Sequence, residues 1–497
     1  MKKRVEFCKK NSFALTVLSV CSVFAVLFMA AGPAYSEQTA VVATVAADYG
    51  SGAHSTISVD PVGGPRIAKN DLLPTISDIS VASFENNFYR IERFNADNVA
   101  KFDIAAPDTV IWQYTTGADS NPHGMVFDSA EKAYLCRYGA TEAWIVDPST
   151  TTESGFKIGE LDLSSYADAD GIPEMESGVI VDGKLFIIIQ RIDRDNFWDP
   201  LNAYVAVFDT TTDTEIDTGS PDPVLGIPLE VRNPLSIQYL EENNTIYVQG
   251  AGNMFTSEYT GGIESIDPDT YDTDLILDDG APYGNISGMA IVSATKGYFV
   301  GYAGWGDTTL YTFDPSTGTV GSAVNGLENK NIAGMESGIY PDENNMLWVC
   351  NQTDARVDIL DITTDTIDES VSTVLNPLRV VFCSGPAPAI QTAVVATVAA
   401  DYSSGAHSII SVDPVGGPRI VQNNLLPTIS DISVDSFGGN FYRIEQFNAD
   451  NVTKFNIAAP DTVIWQYSTN DGPEDDDDDN GGGGSSGCFI STSAFGL

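Results

Sequence analysis

Short apolar runs follow one another along this chain, separated by Gly, Pro, Asn and Asp, and no stretch sustains a 3.6-residue period. That pattern predicts an all-β chain with many tight turns. A unit of roughly 45 to 60 residues repeats within it, each marked by an apolar or aromatic run that ends in Asp. The marks are Ser58-Val59-Asp60, Lys101-Phe102-Asp103, Ile145-Val146-Asp147, Val207-Phe208-Asp209, Ser265-Ile266-Asp267, Thr312-Phe313-Asp314 and Ile359-Leu360-Asp361. Several continue as Pro-Ser-Thr or Pro-Asp-Thr, a turn in which the Asp side chain bonds the following amides. Upstream of each mark lies another strand pair, such as Gly178 to Val181 turning at Asp182-Gly183 into Lys184 to Ile189.

Each unit therefore reads as four antiparallel strands, a to d. Four strands repeated at this period predict a β-propeller, blades stacked round a channel so that edges stay short and protected. The start of strand a aligns as Ser77-Asp78, His123-Gly124, Ser177-Gly178, Leu235-Ser236, Ser287-Gly288, Ser337-Gly338 and Leu378-Arg379. Seven registers match seven Asp marks, so seven blades are expected over residues 38–383. Small residues belong there because inner strands converge on the channel.

The strongest feature of the chain is a duplication. Residues 38–116 and 391–469 align without a gap, with 12 differences in 79 positions. Strand a of the last blade, Leu378 to Cys383, is followed by the linker 384–390, and its strands b to d are available from Ala40 to Val45, Ser55 to Asp60 and Arg66 to Leu73. Either these close a seven-bladed ring and 391–469 stay outside it, or the later copy inserts and extends the ring to eight blades.

Charge and the two ends set the surroundings. Residues 1–36 combine Lys2, Lys3, Arg4, Lys9 and Lys10 with an apolar run from Phe13 to Gly32 and the small residues Ala34-Tyr35-Ser36, the pattern of an export signal; an uncleaved membrane anchor is the alternative. The whole chain carries a net charge of −45, and without residues 1–36 it keeps 19 Lys+Arg against 68 Asp+Glu. Such a field repels phosphate backbones and anionic headgroups, which excludes nucleic acid as a partner and, once the signal is cleaved, argues against membrane insertion. A protein, a glycan or a small molecule remains as ligand. Four cysteines outside the signal, Cys136, Cys350, Cys383 and Cys488, are too sparse for a disulfide framework; Cys350 and Cys383 could pair across neighbouring units but are expected as free buried thiols. Residues 470–487 are acidic and Gly-rich, with the composition of a solvated spacer, before the tail 488–497.

Strand c ending Asp-Pro-Ser-Thr-Gly at Asp314 to Gly318, with strand a opening Pro122-His123-Gly124-Met125, resembles the bacterial secreted propellers of the YVTN and quinoprotein-like group. That group includes surface-layer proteins, binding modules, lactonases, lyases and dehydrogenases, so the resemblance implies the fold and leaves activity open. The tail from Gly487-Cys488-Phe489-Ile490 resembles the Cys-Phe-Ile box of proteins exported by Gram-negative bacteria. It implies an extracellular, cell-surface or periplasmic location.

Candidate chemistry lies where loops entering strand a and loops joining b to c share the channel mouth. Two places before each register stand Thr75, Asn121, Met175, Asn233, Asn285, Met335 and Asn376, and the next positions add Glu176 and Glu336. Glu176, Glu336 and Asn285 could hold a hard cation such as calcium, with His123 as acid or base, although Asn-Pro pairs are also plain turn formers. In lyase-type relatives a Pro-His-Gly opening resembles a catalytic position. No second free histidine, activated cysteine or Gly-x-Ser-x-Gly elbow accompanies it, so nucleophilic hydrolysis lacks partners. Arg379 is expected to pair with Asp78 across the ring closure or to bind an anion. Trp198 and Trp305 fall in b-to-c loops, where they could stack on a sugar or an aromatic ligand. A binding or surface-interaction module is thus the first reading, and a metal-dependent lactonase- or lyase-like enzyme the alternative.

Overall fold

The structure, a computed structural model, describes residues 38–59, 65–256, 258–384, 391–398, 405–413, 417–428, 432–437, 440–445, 451–456 and 459–468. The expected signal, the acidic spacer, the tail, Asp60 and the Glu336 side chain lie outside the described residues. No described helix is long and apolar enough to cross a membrane. Residues 36–388 form one compact unit, and residues 389–497 belong to another together with 1–35.

The first unit is all-β, and among its described residues seven sheets carry the repeat in antiparallel order. Five of them place four consecutive strands side by side. The third is less regular, since Thr214–Glu215 and Ile227–Pro228 both pair with Tyr204–Asp209 in the outermost place. The last sheet is built from both ends of the unit: Asn376–Ser384 pairs with Gln38–Val45, which pairs with Gly52–Ser58, which pairs with Ala68–Thr75. The first strand of every sheet touches the first strand of the next, from Ile79–Phe84 through Pro122–Ser129, Met175–Val181, Pro234–Leu240, Asn285–Ser293 and Ile339–Pro341 to Asn376–Ser384, which returns to Ile79–Phe84. This closed circuit of inner strands is the architecture of a β-propeller. A cavity of about 650 Å³ lies among residues of the inner strands, including Ser83, Met125, Ser177, Gln238, Tyr340 and Arg379.

Apolar residues alternate between the two faces of each blade, and seven buried clusters lie within the ring. One joins Ala40, Val42, Ile57 and Val59 to Trp348, Cys350, Val357 and Ile359 of the preceding sheet. Another joins Val41, Ala43 and Val45 to Ile79, Val81, Phe88 and Phe102 of the following sheet. The first copy is thus gripped from both sides. At roughly 1.5–3 kcal/mol for each fully buried large side chain, these contacts are the main force that fastens the ring.

Two sequence signals have direct structural counterparts. Asp103, Asp147, Asp209, Asp267, Asp314 and Asp361 each accept the amide two residues ahead at 2.7–2.9 Å, which ends strand c and starts the turn. The aligned registers coincide with breaks in strand pairing: Pro122 and Gly124, Pro234 and Ser236, Ile286 and Gly288, and Pro377 and Arg379 face consecutive residues of their partner strands with one residue left over. Crowding accounts for the small residues. A Cβ on Gly124 would lie 2.9 Å from the Glu176 carbonyl oxygen, and one on Gly288 2.7 Å from Gly334 Cα. Cys136, Cys350 and Cys383 are free and buried.

In the second unit the duplicated segment repeats its local pairing. Gln391–Val398 pairs with Gly405–Asp413, and that strand pairs with Gly417–Thr428. A four-stranded sheet follows, Ile432–Phe437, Asn440–Glu445, Asn451–Asn456 and Ala459–Ser468. An internal hub is also kept. In the first copy His54 packs between Phe88 and Phe102, with Arg90 3.3 Å from its Nδ1. In the second, His407 packs between Phe441 and Phe455 with Arg443 at 3.2 Å. His54 Nε2–H donates to the Pro107 carbonyl, and burial pushes its pKa down to about 4, so the imidazole is neutral.

Candidate functional site

The leftover residue at the start of strand a is what aims the first candidate. An extra residue in one strand of a pair bends the chain and re-aims its side chain. His123 is such a residue, and its Nδ1 lies 2.6 Å from Glu176 Oε2 at the start of the neighbouring inner strand. Both side chains are about one-seventh exposed, at 15% and 12%. The imidazole stacks on Tyr138, with ring centroids 4.1 Å apart and planes 10° from parallel. Tyr138 Oη–H donates to Gln190 Oε1, while the Gln190 amide donates to the Pro234 carbonyl and to Glu176 Oε2. Gln190 thereby ties three adjacent blades together at their channel-mouth ends.

Arg194 extends this group outward. Its guanidinium lies 5.7 Å from the Tyr138 ring and 5.7 Å from the exposed Trp198 ring, so His123, Tyr138, Arg194 and Trp198 form one column from a half-buried imidazole to the surface. Arg194 also pairs with the buried Glu174 carboxylate at 3.0 Å, and Glu174 Oε2 accepts the Ile192 amide. Burial outweighs both partners and pushes the Glu174 pKa up to about 7. Below that pH Glu174 holds its proton, and above it the ring carries the cost of a buried charge.

Three residues singled out from sequence, His123, Glu176 and Trp198, thus meet in one network, whereas Tyr138, Glu174, Gln190 and Arg194 were missed. Tyr138 and Gln190 directly follow strand b, where hairpin pairing sets them beside the strand-a starts of their own sheets, and Arg194 lies in the loop beyond. A search of the positions just after each strand b would have found them.

A second group surrounds Trp305. Trp305 sits on the turn between Lys296–Gly304 and Asp307–Asp314 and is 74% exposed, and Phe255, in the matching loop of the preceding blade, is 82% exposed. Together with Tyr259, Tyr283, Tyr302 and Asn329 they wall a cleft of about 680 Å³. Asn285 lies at its base. Its amide donates to the Ala251 carbonyl and to Asp279, whose pKa burial pushes up to about 6.

The other expected residues are dispersed. Asn121 and Asn233 have φ of +41° and +53°, the left-handed region that Asn tolerates, and the Asn233 amide donates to the Gly252 carbonyl. Asn376 opens the closing strand opposite Val45. In place of the expected Asp78–Arg379 pair, Asp78 takes Arg93, 15 residues away, at 2.5 Å, while Arg379 lines the channel cavity and reaches Ser80 Oγ at 3.5 Å. Met-Glu-Ser-Gly adopts two backbones, a strand at Met175 and a 3-10 turn over Gly334–Glu336. The Glu176 carboxylate is committed to His123 and Gln190, and Asn285 to Asp279 and Ala251. Among the described residues no group of three His, Cys, Asp or Glu is placed to hold a metal ion.

No family model and no curated protein matches the chain. Among solved structures it is similar to a protein described as a candidate 6-phosphogluconolactonase from Bacteroides fragilis, at 12% identity and a TM-score of 0.49 over 70% of this chain and 98% of that one. It is also similar to apo AztD from Citrobacter koseri, at 14% identity and a TM-score of 0.43 over 70% and 99% of the two chains. Hydrazine synthase from Kuenenia stuttgartiensis matches at 12% identity and 0.44, over 69% and 94%.

Proposed function

We propose that the protein is an exported, seven-bladed β-propeller that serves as a binding module, and that its ligand is an uncharged glycan held in the cleft around Trp305. The observation that carries this reading is the pair of exposed aromatic faces, Trp305 and Phe255, on opposing loops of one cleft. Apolar ring faces left in water stack well on the C–H faces of a sugar, and Asn329, Asp307 and Thr309 supply hydrogen-bonding groups beside them. A net charge of −45 disfavours anionic ligands and leaves neutral ones unaffected. Export rests on the basic and apolar character of residues 1–36.

Titration with soluble neutral oligosaccharides, followed by tryptophan fluorescence, tests the proposal. Binding should weaken about tenfold in Trp305→Ala, roughly the 1.4 kcal/mol of one good stacking contact. Unchanged affinity in that variant would remove the cleft from the reading.

One observation favours an enzymatic alternative of the lactonase or lyase kind. If His123 Nδ1–H donates to Glu176, Nε2 keeps a lone pair that can take a proton, the orientation a general base needs. Calorimetric calcium titration together with His123→Ala distinguishes the two readings. Turnover of a lactone that requires calcium and is lost in His123→Ala would favour the enzyme.

A further inference from the structure

The duplication leaves this chain with one strand too few. Two segments, Gln38–Val45 and Gln391–Val398, have the identical sequence Gln-Thr-Ala-Val-Val-Ala-Thr-Val, and both are built to lie second in a blade. Only one inner strand of the ring, Asn376–Ser384, does not pair with the strand that follows it in sequence, and Gln38–Val45 pairs with it along its whole length. Among the described residues Gln391–Val398 has a strand neighbour on one side alone, Gly405–Asp413. The first copy shows that the other side of this sequence accepts a full antiparallel partner.

That edge also lacks the usual protection. Edge strands are normally blunted by charge, proline or irregularity. The outer strand Ala68–Thr75 follows the rule, with Lys69, Asp71 and Pro74 and with Asp71 and Leu73 at positive φ. Gly417–Thr428 carries Pro418, Arg419 and Pro427. Residues 391–398 contain no charge and no proline, and their pairing with Gly405–Asp413 is regular over all eight residues of the strand. Their central residues, Thr392-Ala393-Val394-Val395-Ala396-Thr397, read the same in both directions. In an antiparallel pair of two such strands related by a two-fold axis, Thr faces Thr, Ala faces Ala and Val faces Val at every step.

We propose that this edge is a homodimer interface. Gln391–Val398 pairs with the same strand of a second copy of the chain, with Thr392 opposite Thr397 and Val394 opposite Val395, and joins two three-stranded sheets into one of six. An isologous contact of this kind closes on itself and leaves neither edge open, whereas exchange of Asn376–Ser384 between chains would leave one second-place strand per chain unpaired whatever the arrangement.

Site-directed cross-linking of the full-length chain tests the register. A mixture of Thr392→Cys and Thr397→Cys chains should form one interchain disulfide between these positions under mild oxidation, and neither variant should do so alone. A 392 disulfide to Cys383, which lies opposite Thr39 in the ring, would instead show strand exchange and overturn the proposal. So would monomeric sedimentation of the unmodified chain at micromolar concentration. Since an edge variant can misfold, charge complementation provides the control. Ala393→Lys/Ala396→Lys chains and Ala393→Glu/Ala396→Glu chains should each dimerise about tenfold more weakly, and an equal mixture should recover dimers. No recovery, with both variants keeping the melting temperature of the original chain, would also overturn it.

Discussion

The two copies of the duplicated segment differ at 12 of 79 positions, yet one is the fastener of a ring and the other belongs to a separate unit. Their shared hub shows what the sequence does unaided: His, Arg and two Phe lock two successive sheets together in both places. Their different neighbours show what it does not do. Most of the residues through which the first copy meets the preceding blade are retained in the second, although Ala68 recurs as Val421. Ala40, Val42, Ile57 and Val59 recur as Ala393, Val395, Ile410 and Val412. Arg66, which pairs with Glu369 at 2.9 Å, recurs as Arg419, and Asn70, which donates to the Ser372 carbonyl, as Asn423. On the side that meets the following blade, Ala82, packed in a cluster with Met125, recurs as Asp435. The copies are therefore equivalent toward the closing strand and unequal beyond it.

Breaking the hub in each copy should give the largest contrast. Arg90 is buried, ion-paired with Glu92 at 2.8 Å and bonded to the Leu73 carbonyl at 2.7 Å. Arg90→Ala is expected to cost the ring about 3–5 kcal/mol, because the Glu92 carboxylate is left buried without its counter-ion. Arg443→Ala, the same change in the second copy, should leave the ring's calorimetric transition in place. Equal losses from both would mean that the two units melt as one.

The Ala82 position gives the next contrast. Ala82→Asp introduces into the ring the carboxylate that the second copy carries, where it must be buried against an apolar cluster. A loss of about 2–3 kcal/mol in denaturant unfolding is expected, with no gain in ring stability from Asp435→Ala. A neutral Ala82→Asp would show that the second copy could replace the first on both sides.

The smallest effect is the pH dependence set by His54. Its folded pKa, about 4, lies below the ordinary 6.5, so the unfolded chain binds a proton that the ring does not. The stability due to a neutral His54 is complete above pH 6.5 and is lost as the pH falls toward 4. His54→Gln should flatten the ring's melting temperature over that window, and His407→Gln should not.

Much of this architecture is legible in the residues. The Asp marks work because each of the six described Asp residues bonds its own turn, a local interaction that needs no knowledge of the fold, and the small residues at the strand-a register follow from crowding that any propeller imposes. The site was legible only in halves. His123 and Glu176 stand out as titratable residues at aligned places, but the contacts that link Tyr138 to Gln190 and Arg194 to Tyr138 cross a blade boundary, through stacking of sheets that sequence spacing does not encode. The expected Asp78–Arg379 pair fails for a related reason. Arg93 leaves the adjacent strand of the same sheet and reaches Asp78 first.

The position of the closing strand has a consequence for how the molecule is made. Gln38–Val45 is synthesised first among the ring's strands and Asn376–Ser384 last, and the pairing that joins them in one sheet spans more than 300 residues. A pairing of such separation is slow, because a very large loop must be drawn together before any contact repays it. The ring therefore cannot lock before its last blade has been made, and a nascent molecule stays open until then. Lateness of closure is compatible with the export proposed above from residues 1–36.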